Sequence, residues 1–207
     1  DLGRATVLRF SRTVALGCAG AALIALAGLL GYVPGLGVLG RIRSDYVPMA
    51  PATAGCFLIL GVALFRHART PWQGPGLKAM IALVLLATVF GLLESVEPLV
   101  GIEFEEWMIP ETGMLGALPF GKLSPVDGAT FLAAGLGTFL LLIRSGSARH
   151  ARRLGHWASS LGVLTVLVGA TVLLAYLYGA PLLYGGRTVP MAATTSVAFL
   201  FLGAALV

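Results

Sequence analysis

The sequence predicts an all-α integral membrane protein: six transmembrane helices arranged as three parallel helical-hairpin repeats, with the N-terminus and the C-terminal end cytoplasmic. Three observations predict it. Hydrophobic residues make up 57% of the 207-residue chain and charged residues 11%, with a mean hydropathy of +0.92, whereas soluble domains are about 25% charged. Apolar runs at 14–32, 50–65, 79–93, 129–143, 161–177 and 192–207 approach the roughly 20 helical residues that cross a hydrocarbon core of about 30 Å. Finally, one motif is written three times, as PMAPATAGCFLILGVALF from Pro48, LSPVDGATFLAAGLGTFLLL from Leu123 and PMAATTSVAFLFLGAALV from Pro190.

The runs lack period-two alternation, so they are helices and not barrel strands, since lipid leaves only these two ways to pair the backbone. The first run follows Arg4, Arg9 and Arg12. Its long core and the lack of a small-x-small cleavage site make it an anchor rather than a signal peptide. A Gly- and Pro-rich connection leads to the first motif, and the third run follows RHARTPWQGPGLK. The longest connection carries Glu94, Glu97, Glu103, Glu105, Glu106 and Glu111 before the second motif. RSGSARHARRLGHW precedes the fifth run, and YGAPLLYGGRTV delivers the third motif. The hairpins span about 13–66, 78–143 and 157–207 of a single transmembrane domain, 1–207.

Charge sets the orientation. Ten of the 14 Lys and Arg residues lie on one side: Arg4, Arg9, Arg12, Arg66, Arg69, Lys78, Arg144, Arg149, Arg152 and Arg153. Arg41, Arg43, Lys122 and Arg187 lie opposite, and the positive-inside rule makes the first group cytoplasmic. Of the acidic residues only Asp1 falls on that side, so the outer loops attract cations. The net charge of +5 belongs to this topology; no nucleic-acid motif accompanies it, and the lipid bilayer is the expected partner.

Within the motif, Met49, Leu123 and Met191 are followed by Thr53, Asp127 and Thr195 at four residues, Phe57, Phe131 and Phe199 at eight, and Gly61, Gly135 and Gly203 at twelve. Pro51 and Pro125 suit a helix's first turn and Ser124 suits an N-cap. The Phe and Gly positions share a helix face on which a small residue lets a neighbour approach. The motif thus reads as the outer start of each inward helix and as a packing face, more than as a ligand signature. Departures at Leu123 and Asp127 set the middle copy apart.

Chemistry is sparse. Cys18 and Cys56 fall at different depths of apolar runs and read as buried free thiols. His67, His150 and His156 read as interfacial, no spacing suits a metal, and no catalytic motif or cofactor is expected. Glu94 and Glu97 share a face at a membrane boundary, where an ionisable group suggests function. Together with Tyr176, Tyr178, Thr53, Asp127 and Thr195 they are the candidates to line an outer, signal-sensing cavity. Trp107, with Phe104, Met108 and Ile109, reads as an outer interfacial segment, Trp72 and Trp157 as inner anchors, and Tyr184 as part of an outer aromatic belt.

The runs LLAYLYGAPLLYGGRTVPMAATTSVAFLFLGAAL, FGLLESVEPLVGIEFEEWMIPE and SDYVPMAPATAGCFLILGVAL resemble the N-terminal multi-span membrane sensor region of bacterial PAS-containing sensor histidine kinases and diguanylate cyclases. The resemblance covers nearly all of 13–207. It implies a bacterial inner-membrane location, further spans and a cytoplasmic output module after the third motif, and no catalytic residue within these hairpins. Two other classes remain open. Parallel repeats with boundary carboxylates also suit a small transporter or channel, although the spans carry few polar residues to line a pathway. Apolar faces and aromatic belts suit an accessory subunit of a larger complex, and a homo-oligomer or membrane partner is expected in either setting.

Overall fold

The apolar runs wind into seven helices among the residues that the computed structural model describes: 2–43, 46–101, 114–115, 118–119, 122–144, 148–179 and 189–207, with backbone alone at 2–11 and 114–119. The helices are α1 (Leu2–Leu30), α2 (Gly37–Gly40), α3 (Pro51–Arg69), α4 (Gly74–Val100), α5 (Pro125–Leu142), α6 (Ala148–Leu177) and α7 (Ala193–Leu206). Two two-residue strands, β1 (Met114–Leu115) and β2 (Leu118–Pro119), pair antiparallel in the long connection between α4 and α5. Glu103, Phe104, Glu105, Glu106, Trp107, Met108, Ile109, Glu111, Tyr184 and Arg187 lie outside the described residues.

Local chemistry sets the ends. Pro51 and Pro125 occupy first-turn positions, where a missing N–H costs nothing. Ser124 caps α5 by accepting from the Val126 N–H at 3.2 Å, and its own N–H donates to Asp127 Oδ2 at 3.2 Å, a reciprocal capping box. Helix α4 stops at Gly101, whose φ of +70° suits a residue without Cβ and whose N–H returns to the Glu97 carbonyl. Helices α1, α4 and α6 run beyond the apolar runs, α4 continuing through Pro98; the basic stretch before 158 is the first turns of α6.

Five helices are long and apolar enough to cross a membrane: 12–30 of α1, together with α3, α4, α5 and α6. The sixth expected span is helical over Ala193–Leu206, 14 residues, or about 21 Å at 1.5 Å per residue. Like α3, it begins after a non-helical entry with an extended cap residue, here Ala192.

Small residues fix the helix pairs. Gly91 lies against Gly128 and Thr88 against Gly135, so α4 and α5 run antiparallel. Gly169 against Ser196 and Gly162 against Gly203 set α6 antiparallel to α7, while Gly28 against Met49 and Cys18 against Gly61 do the same for α1 and α3. Between these pairs, α1 packs closely on α7 and α6 on α5, whereas α4 touches α3 only lightly. Helices α3, α5 and α7 occupy the centre and bury a larger share of their residues than α1, α4 and α6 do. The other long helices bury one stripe each, exemplified by Ala158, Gly162, Thr165, Gly169, Val172 and Tyr176 on α6. Their outer faces expose Leu16, Leu23, Leu86, Val89, Leu167 and Leu174, a surface that suits hydrocarbon and not water.

The antiparallel pairing gathers Arg12, Arg66, Arg69, Lys78, Arg144, Arg149, Arg152 and Arg153 at one end of the bundle. Arg41, Arg43, Lys122, Glu94, Glu97 and Asp127 belong to the other. Cys18 and Cys56 are buried and are not joined in a disulfide. Trp72 is half-buried, donating its indole N–H to the Ala63 carbonyl at 3.1 Å beneath the Arg66 guanidinium, while Trp157 is exposed.

Candidate functional site

Phe57, Phe131 and Phe199 are fully buried and meet in a closed triangle, their ring centroids 4.9, 4.7 and 4.7 Å apart. Tilted and edge-on contacts of this kind suit the aromatic quadrupole. The triangle seals the centre of the bundle. Four residues earlier, on the same helix faces, Thr53, Asp127 and Thr195 form the next layer outward and are all buried. Each sits at the third position of its helix, so the N-terminal, partially positive ends of three helices surround this layer. The motif glycines turn instead to the antiparallel neighbour: Gly61 to Cys18, Gly135 to Thr88 and Gly203 to Gly162.

The two threonines of the layer differ from others in the bundle. Thr88, Thr130, Thr138, Thr165 and Thr171 each donate to the carbonyl four residues back. For Thr53 and Thr195 those carbonyls belong to Met49 and Met191, which lie before the helices begin and accept instead from Tyr32 at 3.1 Å and Tyr176 at 2.8 Å. The hydroxyls of Thr53 and Thr195 have no hydrogen-bond partner among the described residues, leaving donors available in a buried layer.

Glu94 enters from α4. It is only 2% exposed, and its Cβ lies beside Gly128, next in sequence to Asp127. The missing Cβ at Gly128 is therefore what admits the Glu94 side chain. One turn on, Pro98 lies inside α4 and brings no N–H for the carbonyl four residues back, so the helical ladder is interrupted at the turn that carries Glu94. Two buried carboxyl groups thus sit on neighbouring helix turns, at the end of the bundle where three helix N-termini favour negative charge.

No family model, curated protein or solved structure matches the chain.

The site therefore stands on geometry alone. Thr53, Asp127, Thr195 and Glu94 belong to the buried outer layer, and Tyr176 closes it from α6 with its ring 4.7 Å from that of Tyr46 and its hydroxyl on Met191. Glu97 is half-buried one turn beyond Glu94. Tyr178 does not line this layer: it is 84% exposed, because two residues along a helix turn the side chain some 200° from Tyr176. A groove of about 400 Å³ opens elsewhere, between α5 and α6, lined by Pro125, Ala129, Ala133, Leu164 and Val168 among others and by none of the expected site residues.

Tyr32 and Tyr46 were not singled out by sequence. The available signal is that Tyr32 and Tyr176 precede Met49 and Met191 by 17 and 15 residues, each near the C-terminal end of the helix before the motif. Tyr176→Phe strands a buried carbonyl and is expected to cost about 1 kcal/mol of stability, measured by denaturant titration in detergent. Tyr32→Phe, acting on a longer and less buried bond, costs less.

Proposed function

We propose that the chain is the membrane-embedded sensory input domain of a bacterial signal-transduction protein, built as six inner-membrane spans in three parallel hairpins with both ends cytoplasmic. The observation that carries this reading is the buried polar layer of Glu94, Asp127, Thr53 and Thr195 over the Phe57, Phe131 and Phe199 triangle. Burying carboxyl groups among apolar helices is costly, and in membrane proteins such groups mark functional sites. A ligand, ion or proton taken up at this layer acts on the starts of the three central helices at once. The aromatic triangle one turn below couples them, so a change of packing on one helix is felt by the other two and reaches the basic end of the bundle. The output is then a biased conformation delivered to a cytoplasmic module or partner, and the hairpins themselves perform no catalysis.

The test is Glu94→Gln and Asp127→Asn, singly and together, in the full-length protein, with signalling output measured across pH, salt and osmotic challenge. Coupling energies of about 1–3 kcal/mol correspond to changes of about 5- to 150-fold, so at least one variant should shift output by fivefold or more. Output indistinguishable from the parent under every challenge, with the variants folded and inserted, contradicts the reading.

A further inference from the structure

The other end of the bundle carries a charge arrangement that the sensory reading does not use. Arg149, Arg152, Arg153 and His156 follow one another at i, i+3, i+4 and i+7 on α6, which places them on one helix face. All four are exposed and line an open groove of about 440 Å³. Arg144 adds a fourth guanidinium, which reaches α6 at Gly155, 3.3 Å from where a Cβ would stand.

This arrangement opposes helix stability in two ways. Like charges at three- and four-residue spacings repel, and cations in the first turns of a helix are also repelled by its partially positive end. Among the described residues no carboxylate lies at this end: no Asp or Glu follows Asp127 in the sequence, and Glu94, Glu97 and Asp127 belong to the opposite end. Orientation in the membrane accounts for the number of arginines near a span, but it is indifferent to whether they share one helix face and line one groove. An external anion removes both penalties.

The level of the groove identifies the anion. Trp157, 65% exposed, follows His156 directly, and Ala158 is the first fully buried residue of α6. The groove therefore lies just outside the apolar stretch, where lipid phosphates sit, and planar guanidinium groups bind phosphate oxygens in pairs. We propose that this groove holds the phosphate of an anionic phospholipid from the leaflet on that side.

The experiment uses the full chain in nanodiscs of phosphatidylcholine alone or with added phosphatidylglycerol, reading thermal unfolding and the lipid retained in native mass spectrometry. Phosphatidylglycerol is expected to raise the unfolding temperature and to be retained in preference to phosphatidylcholine. Each basic residue near such a surface strengthens binding about fivefold, so the triple variant Arg149→Ala/Arg152→Ala/Arg153→Ala should weaken retention by about 100-fold. Arg152→Ala alone, a change at an exposed position that preserves the fold, should weaken it about fivefold. Replacing the three arginines by Lys keeps the charge and should restore part of the loss. Equal retention of the two lipids, or retention unchanged in Arg152→Ala, overturns the proposal. So does stabilisation by millimolar inorganic phosphate in phosphatidylcholine discs equal to that given by phosphatidylglycerol, which would identify a free anion as the ligand.

Discussion

Phe57→Ala is expected to lower the stability of the bundle by about 3 kcal/mol, the low end of large-to-small changes in well-packed cores, read as a shift in the midpoint of unfolding in a mixed-micelle titration with sodium dodecyl sulfate. The low end applies because lipid tails are as apolar as the side chain, so little transfer free energy is at stake and the loss comes from the cavity and the missing contacts. Phe57 touches both Phe131 and Phe199 at centroid distances of 4.9 and 4.7 Å, so the cavity opens at the meeting point of α3, α5 and α7. The three positions are interdependent. A Phe57→Ala/Phe131→Ala double variant should therefore lose less than the sum of its singles, the difference being about 1 kcal/mol, within the range found for residues in direct contact. Full additivity would mean that the rings do not act as one unit.

Gly128→Val is expected to be among the most damaging single changes outside the triangle, costing about 3 kcal/mol as overpacking and displacing Glu94. A Cβ on Gly128 would stand 2.7 Å from the Gly91 carbonyl oxygen and 2.7 Å from the Ser95 nitrogen. Both are backbone atoms, so no side-chain rotation relieves the clash and α4 must move away from α5. Gly91→Ala meets the Gly128 carbonyl at the same distance from the other side and should behave alike. By contrast Gly55→Ala, with nothing within 4 Å of its Cβ, should be neutral or stabilising, since alanine is the better helix former. The same unfolding assay separates the three, and a Gly128→Val variant as stable as the parent would contradict the close approach of the two helices.

Much of this packing is legible in the sequence because one physical demand repeats. Each central helix must start at the same level, turn a ring to the shared centre and offer a small residue to its antiparallel neighbour, so Phe57, Phe131 and Phe199 and the glycines four residues on recur at fixed offsets. What depends on rotation about a helix or on distant chain segments is harder to read. Tyr176 and Tyr178 look equivalent as neighbours in an aromatic cluster, yet helical rotation buries one and exposes the other. Glu94 reads as a boundary carboxylate, and only the missing Cβ of Gly128, more than thirty residues later, explains how it is buried. Helix α2 and the β1–β2 pairing leave no periodic signal because each is too short to hold one. The extension of α6 through its arginines runs against charge logic, which is the feature that points to a bound anion.

The most direct test of the account is side-selective labelling of single cysteines in a Cys18→Ala/Cys56→Ala background, using a membrane-impermeant thiol reagent on intact spheroplasts. Val38→Cys, Val100→Cys and Tyr178→Cys each probe the outer end of a different hairpin at an exposed position, while Gln73→Cys and Arg149→Cys probe the basic end. The inner-membrane orientation proposed above predicts that the first three label in intact spheroplasts and that the last two label only after lysis. Protection of any one of Val38→Cys, Val100→Cys or Tyr178→Cys until lysis would contradict a bundle whose central helices all start on the outer side.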